Sequence, residues 1–361
     1  HALAALLLVL AGVPLLWTAG SALDSGLYVQ AWARLPAQPA LWQATALTVW
    51  TGLVSTTLAW WLAARLLASG FVTGRLQATL RWLPALLATP HAAMAIGLLF
   101  LLAPSGWVLR ALSPWLTGFD APPPWSTTQD PWGLGLILAL VVKEVPFLLL
   151  MILSALPQTD AARRMMLCRT LGYGQVRGFV LTVLPALYPQ LRLPVYAVLA
   201  YSMTAVESAL ILGPTLPPSL SAQVVLWMNA PDLQGRGLAA AGAVVQLVLV
   251  IGALLVWRAG EILCRIALPA LAQSGRRGLL LDRPLAILAR VMGGGLALTM
   301  AAALAGLALW SVAGPWQFPD ALPDRLTLST WSRALPATVR RVLCGTFATR
   351  RARPGTVRGC G

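Results

Sequence analysis

The sequence predicts an all-α fold, a polytopic bundle of about seven membrane-spanning helices. Three observations carry this. Of 361 residues, 58% are hydrophobic and only 10% charged, whereas a soluble domain carries about 25% charged residues. Apolar runs recur, each about as long as one bilayer crossing. Arginine collects in alternate connecting segments.

The apolar runs are 2–19, 41–63, 84–104, 134–154, 191–213, 238–257 and 289–313. A hydrocarbon core takes about 20 apolar residues per helix. Strands of a membrane barrel would alternate in polarity over about ten residues; these runs are continuous and rich in Leu and Ala, so they predict helices. The run 2–19 lacks the basic start of a signal peptide and reads as a spanning helix. Because the chain starts with His1, its native start is expected further upstream.

Orientation follows from the arginines. The segment after the second run holds Arg65, Arg75 and Arg81. The one after the fourth holds Arg163, Arg164, Arg169 and Arg177, and the one after the sixth holds Arg258, Arg265, Arg276, Arg277 and Arg283. Segments 20–40, 105–133 and 214–237 are nearly neutral and carry Pro and Trp, such as Pro122-Pro123-Pro124-Trp125. The Arg-rich segments are expected in the cytoplasm, together with the N-terminus. Trp at span ends suits the interfacial belt.

A net charge of +15 would point to nucleic acid in a soluble protein. Here the bases lie between apolar runs, so the lipid bilayer is the expected partner and nucleic acid is not. Cys168, Cys264, Cys344 and Cys360 form no CxxC pair and the chain has 2 His, which predicts free thiols and no metal site. No nucleophile–base pair and no G-x-x-x-x-G-K-[ST] phosphate loop occurs. The chain is therefore expected to be no enzyme and to hold no cofactor.

Segment 155–190 is the most informative. It is basic and reads Met166-Leu167-Cys168-Arg169-Thr170-Leu171-Gly172-Tyr173, then Val183-Leu184-Pro185. Gly is favoured just past a helix end, which predicts a helix closed by Gly172. A second short helix is expected from Gln175 toward Pro185. Two short helices outside the bilayer would make a docking knob.

This segment resembles the loop of importer permeases of the ATP-binding-cassette (ABC) class: Glu-Ala-Ala, three residues, Gly, nine residues, Ile, one residue, Leu-Pro. Gly172 and Leu184-Pro185 fall at that spacing, with Thr182 where Ile is usual. Met166-Leu167-Cys168 stands in the Glu-Ala-Ala positions; a literal Asp160-Ala161-Ala162 lies six residues earlier. Thr89-Pro90-His91 through Pro104-Ser105-Gly106, and Ala205-Val206-Glu207 through Leu212-Gly213-Pro214, are similar to the third and fifth helices of that family.

The resemblance implies a multi-pass bacterial inner-membrane permease with a five-helix core within 41–260. It implies a cytoplasmic ATP-binding subunit dimer as partner, gripping Arg169, Thr170, Leu171, Gly172, Leu184 and Pro185. A periplasmic solute-binding protein and a second permease half would complete the assembly. With Met166 in place of the motif's acid, the resemblance implies the docking knob without the family's usual salt bridge to the ATPase. An ion-coupled secondary transporter and a non-transporting scaffold are the alternatives.

Ionisable groups within spans are costly and mark function. Lys143 and Glu144, just before Pro146, point about 100° apart on a helix, so each is expected to meet another helix or the solute path. Glu207 is expected within the fifth span, on a helix that lines the path in the family. His91 is expected to be a buried neutral imidazole bonded to a backbone carbonyl.

The stretch 322–331 weakly repeats 35–42. This resembles one half of fused two-domain permeases of the thiamine and iron-uptake kind. On that reading, 1–40 is a first spanning helix with an external segment. Residues 261–338 are a cytoplasmic loop plus the first helix of a truncated second half. The basic tail 339–361, with Arg340, Arg341, Arg350, Arg351, Arg353 and Arg358, reads as a disordered product of frameshift or truncation; a lipid-touching basic tail is the alternative.

Overall fold

The structure is a computed structural model describing residues 27–73, 83–275 and 279–334, with positions 12, 13, 16 and 20. The predicted span 2–19 and the tail 339–361 lie outside the described residues apart from three of those positions. The helices are α1 (Leu27–Arg34), α2 (Leu41–Thr73), α3 (Leu83–Ala88), α4 (His91–Leu102), α5 (Trp107–Leu112) and α6 (Leu134–Ala155). They continue with α7 (Ala161–Thr170), α8 (Gln175–Gly178), α9 (Leu184–Thr204), α10 (Val206–Leu212), α11 (Leu220–Met228), α12 (Leu233–Gln273), α13 (Leu279–Val312) and α14 (Ser329–Ala334).

Among the described residues, six stretches are long and apolar enough to cross a membrane: Leu41–Ala68, His91–Leu112, Leu134–Thr159, Val176–Thr204, Gln234–Gln273 and Arg290–Val312. In α6, 72% of the most apolar window is buried, against 17% in Arg290–Val312; α6 is the axis of the bundle and α13 its outer helix. The main core joins Ala59, Leu62, Ala63 and Leu67 of α2 to Val141, Val145, Leu148 and Ile152 of α6 and Leu187, Leu191, Val195 and Val198 of α9. These positions recur every three or four residues, one stripe per helix. Met300 and Ala303 of α13 share a second core with Met94, Ala95 and Leu98 of α4. Lipid is as apolar as Leu, so small residues that let helices approach closely do much of this work.

α2 also buries Thr48, Thr51, Ser55 and Thr56. Each hydroxyl donates to a carbonyl three or four residues earlier, which satisfies it within its own helix.

Three spans are bounded differently from the sequence expectation. The third span starts at His91 rather than 84, because Pro90 is extended (φ −61°, ψ 146°) and the residue before a proline disfavours helix. The fifth starts near 176 rather than 191 and ends at Ala205 (ψ 89°), where the chain turns into α10. No separate short helix reaches Pro185. Instead a π turn, Phe179–Val183, carries α8 into α9, and Leu184 N–H donates to Phe179 O. That extra residue in the turn accommodates Pro185, which has no N–H to give and would crowd the preceding turn. The sixth runs on past 257: α12 has 41 residues, about 61 Å at 1.5 Å per residue, roughly twice a 30 Å hydrocarbon core. Residues 261–273, expected as loop, are helix.

Candidate functional site

α7 ends in a hydrogen-bonded Gly turn. Tyr173 N–H donates to Cys168 O at 2.9 Å and Gly172 N–H to Arg169 O at 3.0 Å. These are the two bonds of a Schellman motif, and Gly172 takes the left-handed φ of 75° it requires. Inward, α7 buries Ala161, Met165 and Cys168. Gly178 is the contact point: a Cβ there would lie 2.9 Å from Cys168 Cβ. Cys168 Sγ faces Thr182 Oγ1 at 3.5 Å, so the residue in the last Glu-Ala-Ala position meets the one in the Ile position. Arg164 donates to Thr159 O (2.9 Å) and Thr182 O (3.4 Å), tying both ends of the loop.

Outward, α7 presents Met166, Leu167 and Leu171, exposed by 69%, 55% and 64%, flanked by exposed Arg163, Arg169 and Thr170. Arg169, Thr170, Leu171 and Gly172 therefore come together at one tip. Leu184 and Pro185 do not join them; they form the half-buried first turn of α9.

Lys143 and Glu144 are both 5% exposed, near the middle of α6. Lys143 Nζ donates to Leu86 O (3.1 Å) and Thr89 O (2.6 Å). The Leu86 carbonyl would otherwise accept from residue 90, a proline without N–H, so the ammonium fills the gap at a helix C-terminus. Glu144 turns to a different element: His91 Nε2 lies 3.7 Å from its Oε1. The His91 ring stands beside Tyr201 at 4.7 Å between centroids, and Tyr201 lies in the electrostatic field of both Glu144 and Glu207.

His91 departs from expectation. Its side chain is 37% exposed and next to a carboxylate, because it heads α4 directly after the Pro90 break. Glu207 also departs: it lies beyond the span's helix, exposed in the first turn of α10, where a helix N-terminus favours an anion.

Two buried charges escaped the sequence reading. Glu261, 6% exposed at its side chain, accepts from Tyr188 Oη (2.7 Å), Arg192 Nε (3.1 Å) and Arg258 (2.6 Å). Trp257 Nε1 in turn donates to Tyr188 Oη at 2.8 Å. Tyr188 and Arg192 are four residues apart on α9, hence on one face, and that spacing was the available signal. Arg110, placed in an external loop, is 5% exposed. It donates to Ser105 O and Gln317 O (2.8 and 2.6 Å) and lies over Trp316. Among the described residues no group of three or more His, Cys, Asp or Glu could hold a metal ion.

Over 255 residues the chain is 31% identical to the inner membrane ABC transporter permease protein YnjC of Escherichia coli (strain K12). The match takes in 68% of this chain and 47% of that protein, so the chain spans about half the length of the curated relative it matches. No family model matches it.

Proposed function

This chain belongs to the ABC transporter permeases, and from that premise we propose that it forms half of a solute path driven by a cytoplasmic ATPase dimer docked on the loop 160–190. The observation that carries this reading is the tip of α7. An exposed trio of Met166, Leu167 and Leu171 is fixed on a helix whose other face is fully packed. A small apolar ridge with arginines at its sides is a docking surface, and a rigid one transmits force.

The arginine-rich segments support the orientation with this tip in the cytoplasm. Arg177 donates to Leu271 O and Ser274 Oγ, each at 2.8 Å, so the segments after the fourth and sixth spans share one end of the bundle. Positive segments on one side belong to the cytoplasm, and with a spanning helix at 2–19 the N-terminus would lie there as well. A periplasmic binding protein would then deliver solute to the Trp- and Pro-rich end.

His91, Tyr201 and Glu207 are candidates for the path. His91 and Tyr201 gather beside Glu144, which lies midway along α6, and partly exposed polar groups at that depth do not face lipid, so this side of the bundle meets water or the second permease half. Glu144 and Glu207 favour a cationic solute there. In mechanism, closing of the ATPase dimer would shift α7 and rock the two permease halves as near-rigid bodies. An ion-coupled secondary transporter would need coupled charges at mid-depth; Lys143 is already bound to helix-end carbonyls, which disfavours that alternative.

The test is Leu171→Asp in the full chain. It should leave folding intact and reduce co-purification of the ATPase by about tenfold, a loss of about 1.4 kcal/mol. Undiminished co-purification overturns the assignment.

A further inference from the structure

α12 is too long for its task as a membrane span. Its end, residues 258–273, projects past the point where the apolar run ends. Ile262, Leu263, Ile266 and Leu271 on it are 47–70% exposed, so this projection rests only lightly on the rest of the bundle. It is nevertheless not loose, because it is tied twice to the chain that carries the docking tip. At its root, Glu261 binds Tyr188 and Arg192 of α9 at 2.7 and 3.1 Å. At its end, Arg177 of α8 holds Leu271 O and Ser274 Oγ at 2.8 Å. The two ties lie ten or more residues apart on α12, a lever of about 15 Å or more at 1.5 Å per residue. A helix pinned at two separated points, once to α9 and once to α8, holds those two elements in a fixed relation to each other.

Between the two ties on the other side lies the π turn Phe179–Val183. Here the regular α-helical hydrogen bonding between α8 and α9 gives way, and π turns are sites where helices bend. A push on α7 carried only through that turn would be partly absorbed there. The ties bypass it.

We propose that the coupling element has two arms: α7–α8 and the projecting end of α12 move as one body, with Glu261 and Arg177 as its positioning residues. The push is thereby delivered to the fifth and sixth spans together. This rests on the reading of 160–190 as the ATPase-docking loop. It goes beyond that reading by adding a second, distant segment of the chain to the moving part.

The experiment uses the full chain co-purified with its ATPase, with Cys168, Cys264, Cys344 and Cys360 changed to Ser. Arg177→Cys and Ser274→Cys are introduced together and joined by a short cleavable thiol cross-linker. If the arms move as one body, the covalent tie replaces the hydrogen bonds and ATP hydrolysis stays within about twofold of the unlinked complex. A loss beyond that, restored on cleaving the linker, shows that the arms slide during the cycle and overturns the proposal.

A second measurement addresses Glu261. Spin labels at Ala162→Cys, an exposed α7 position away from the docking tip, and Arg265→Cys report the separation of the arms with and without ATP and vanadate. The separation should be the same in both states, and should broaden in Glu261→Gln while the ATPase still co-purifies. A shift between states, or no broadening in Glu261→Gln, counts against the proposal. Failure of the unmodified chain to hold an ATPase would instead sink the functional reading itself.

Discussion

Glu144 and Glu261 are both carboxylates with side chains 6–7% exposed, yet their surroundings differ in kind. Glu261 is saturated: a phenol and two guanidinium groups reach it at 2.6–3.1 Å. Glu144 faces one imidazole nitrogen at 3.7 Å, beyond hydrogen-bond reach. A buried charge is retained either because its partners stabilise it or because something transient needs it. Glu261 fits the first case and sits where two elements are joined. Glu144 fits the second and sits midway along the central helix, beside His91 and Tyr201. The difference separates a fixed joint from a group left available for work.

The largest effect that tests this contrast is expected from Glu261→Ala. Removing the carboxylate leaves Arg192 without its partner and Tyr188 without its acceptor. The cost should be about 3 kcal/mol, the range for breaking a buried pair, read as a lowered melting temperature in detergent. A shift no larger than that of a surface substitution would mean that the cluster is loosely solvated and the contrast is false. Next comes Lys143→Met, which fits the space but withdraws the donor from the Leu86 and Thr89 carbonyls. About 2 kcal/mol is expected, since both carbonyls lose the ammonium as donor while its desolvation is relieved. A stabilised Lys143→Met variant would show that the ammonium is held for function rather than structure.

The sequence revealed the bundle more fully than its joints. Long apolar runs mark α2, α6 and α13 because lipid demands them, and the Gly172 helix end was legible because one residue type meets one backbone need. Span limits at 176 and 273 were not. The start of the fifth span is basic and punctuated by Pro185, and the usual expectation that proline stops a helix failed because a π turn absorbs it. The end of the sixth span carries Arg258, Glu261 and Arg265, which read as loop. They form helix because Glu261 finds its partners on α9, a contact between residues about 70 positions apart that no local pattern encodes. Arg110 escaped for the same reason, since its carbonyl partner at Gln317 lies far along the chain. His91 was misread because a lone imidazole gives no hint of the carboxylate opposite it.

The smallest structural effect, and the one that sharpens the contrast most, is expected from Glu144→Gln. The amide has the same shape as the carboxylate, and no hydrogen bond at 144 is lost. Stability should change by no more than about 0.5 kcal/mol, the scale of substitutions that break no specific contact. Transport should respond very differently. In vesicles holding the complete transporter and its binding protein, solute uptake should fall by about tenfold, equivalent to about 1.4 kcal/mol at the rate-limiting step. A melting temperature lowered as far as in Glu261→Ala would make Glu144 a joint like the other. Unchanged uptake with unchanged stability would make it a bystander, and the path would then have to be sought on a face without His91 and Tyr201.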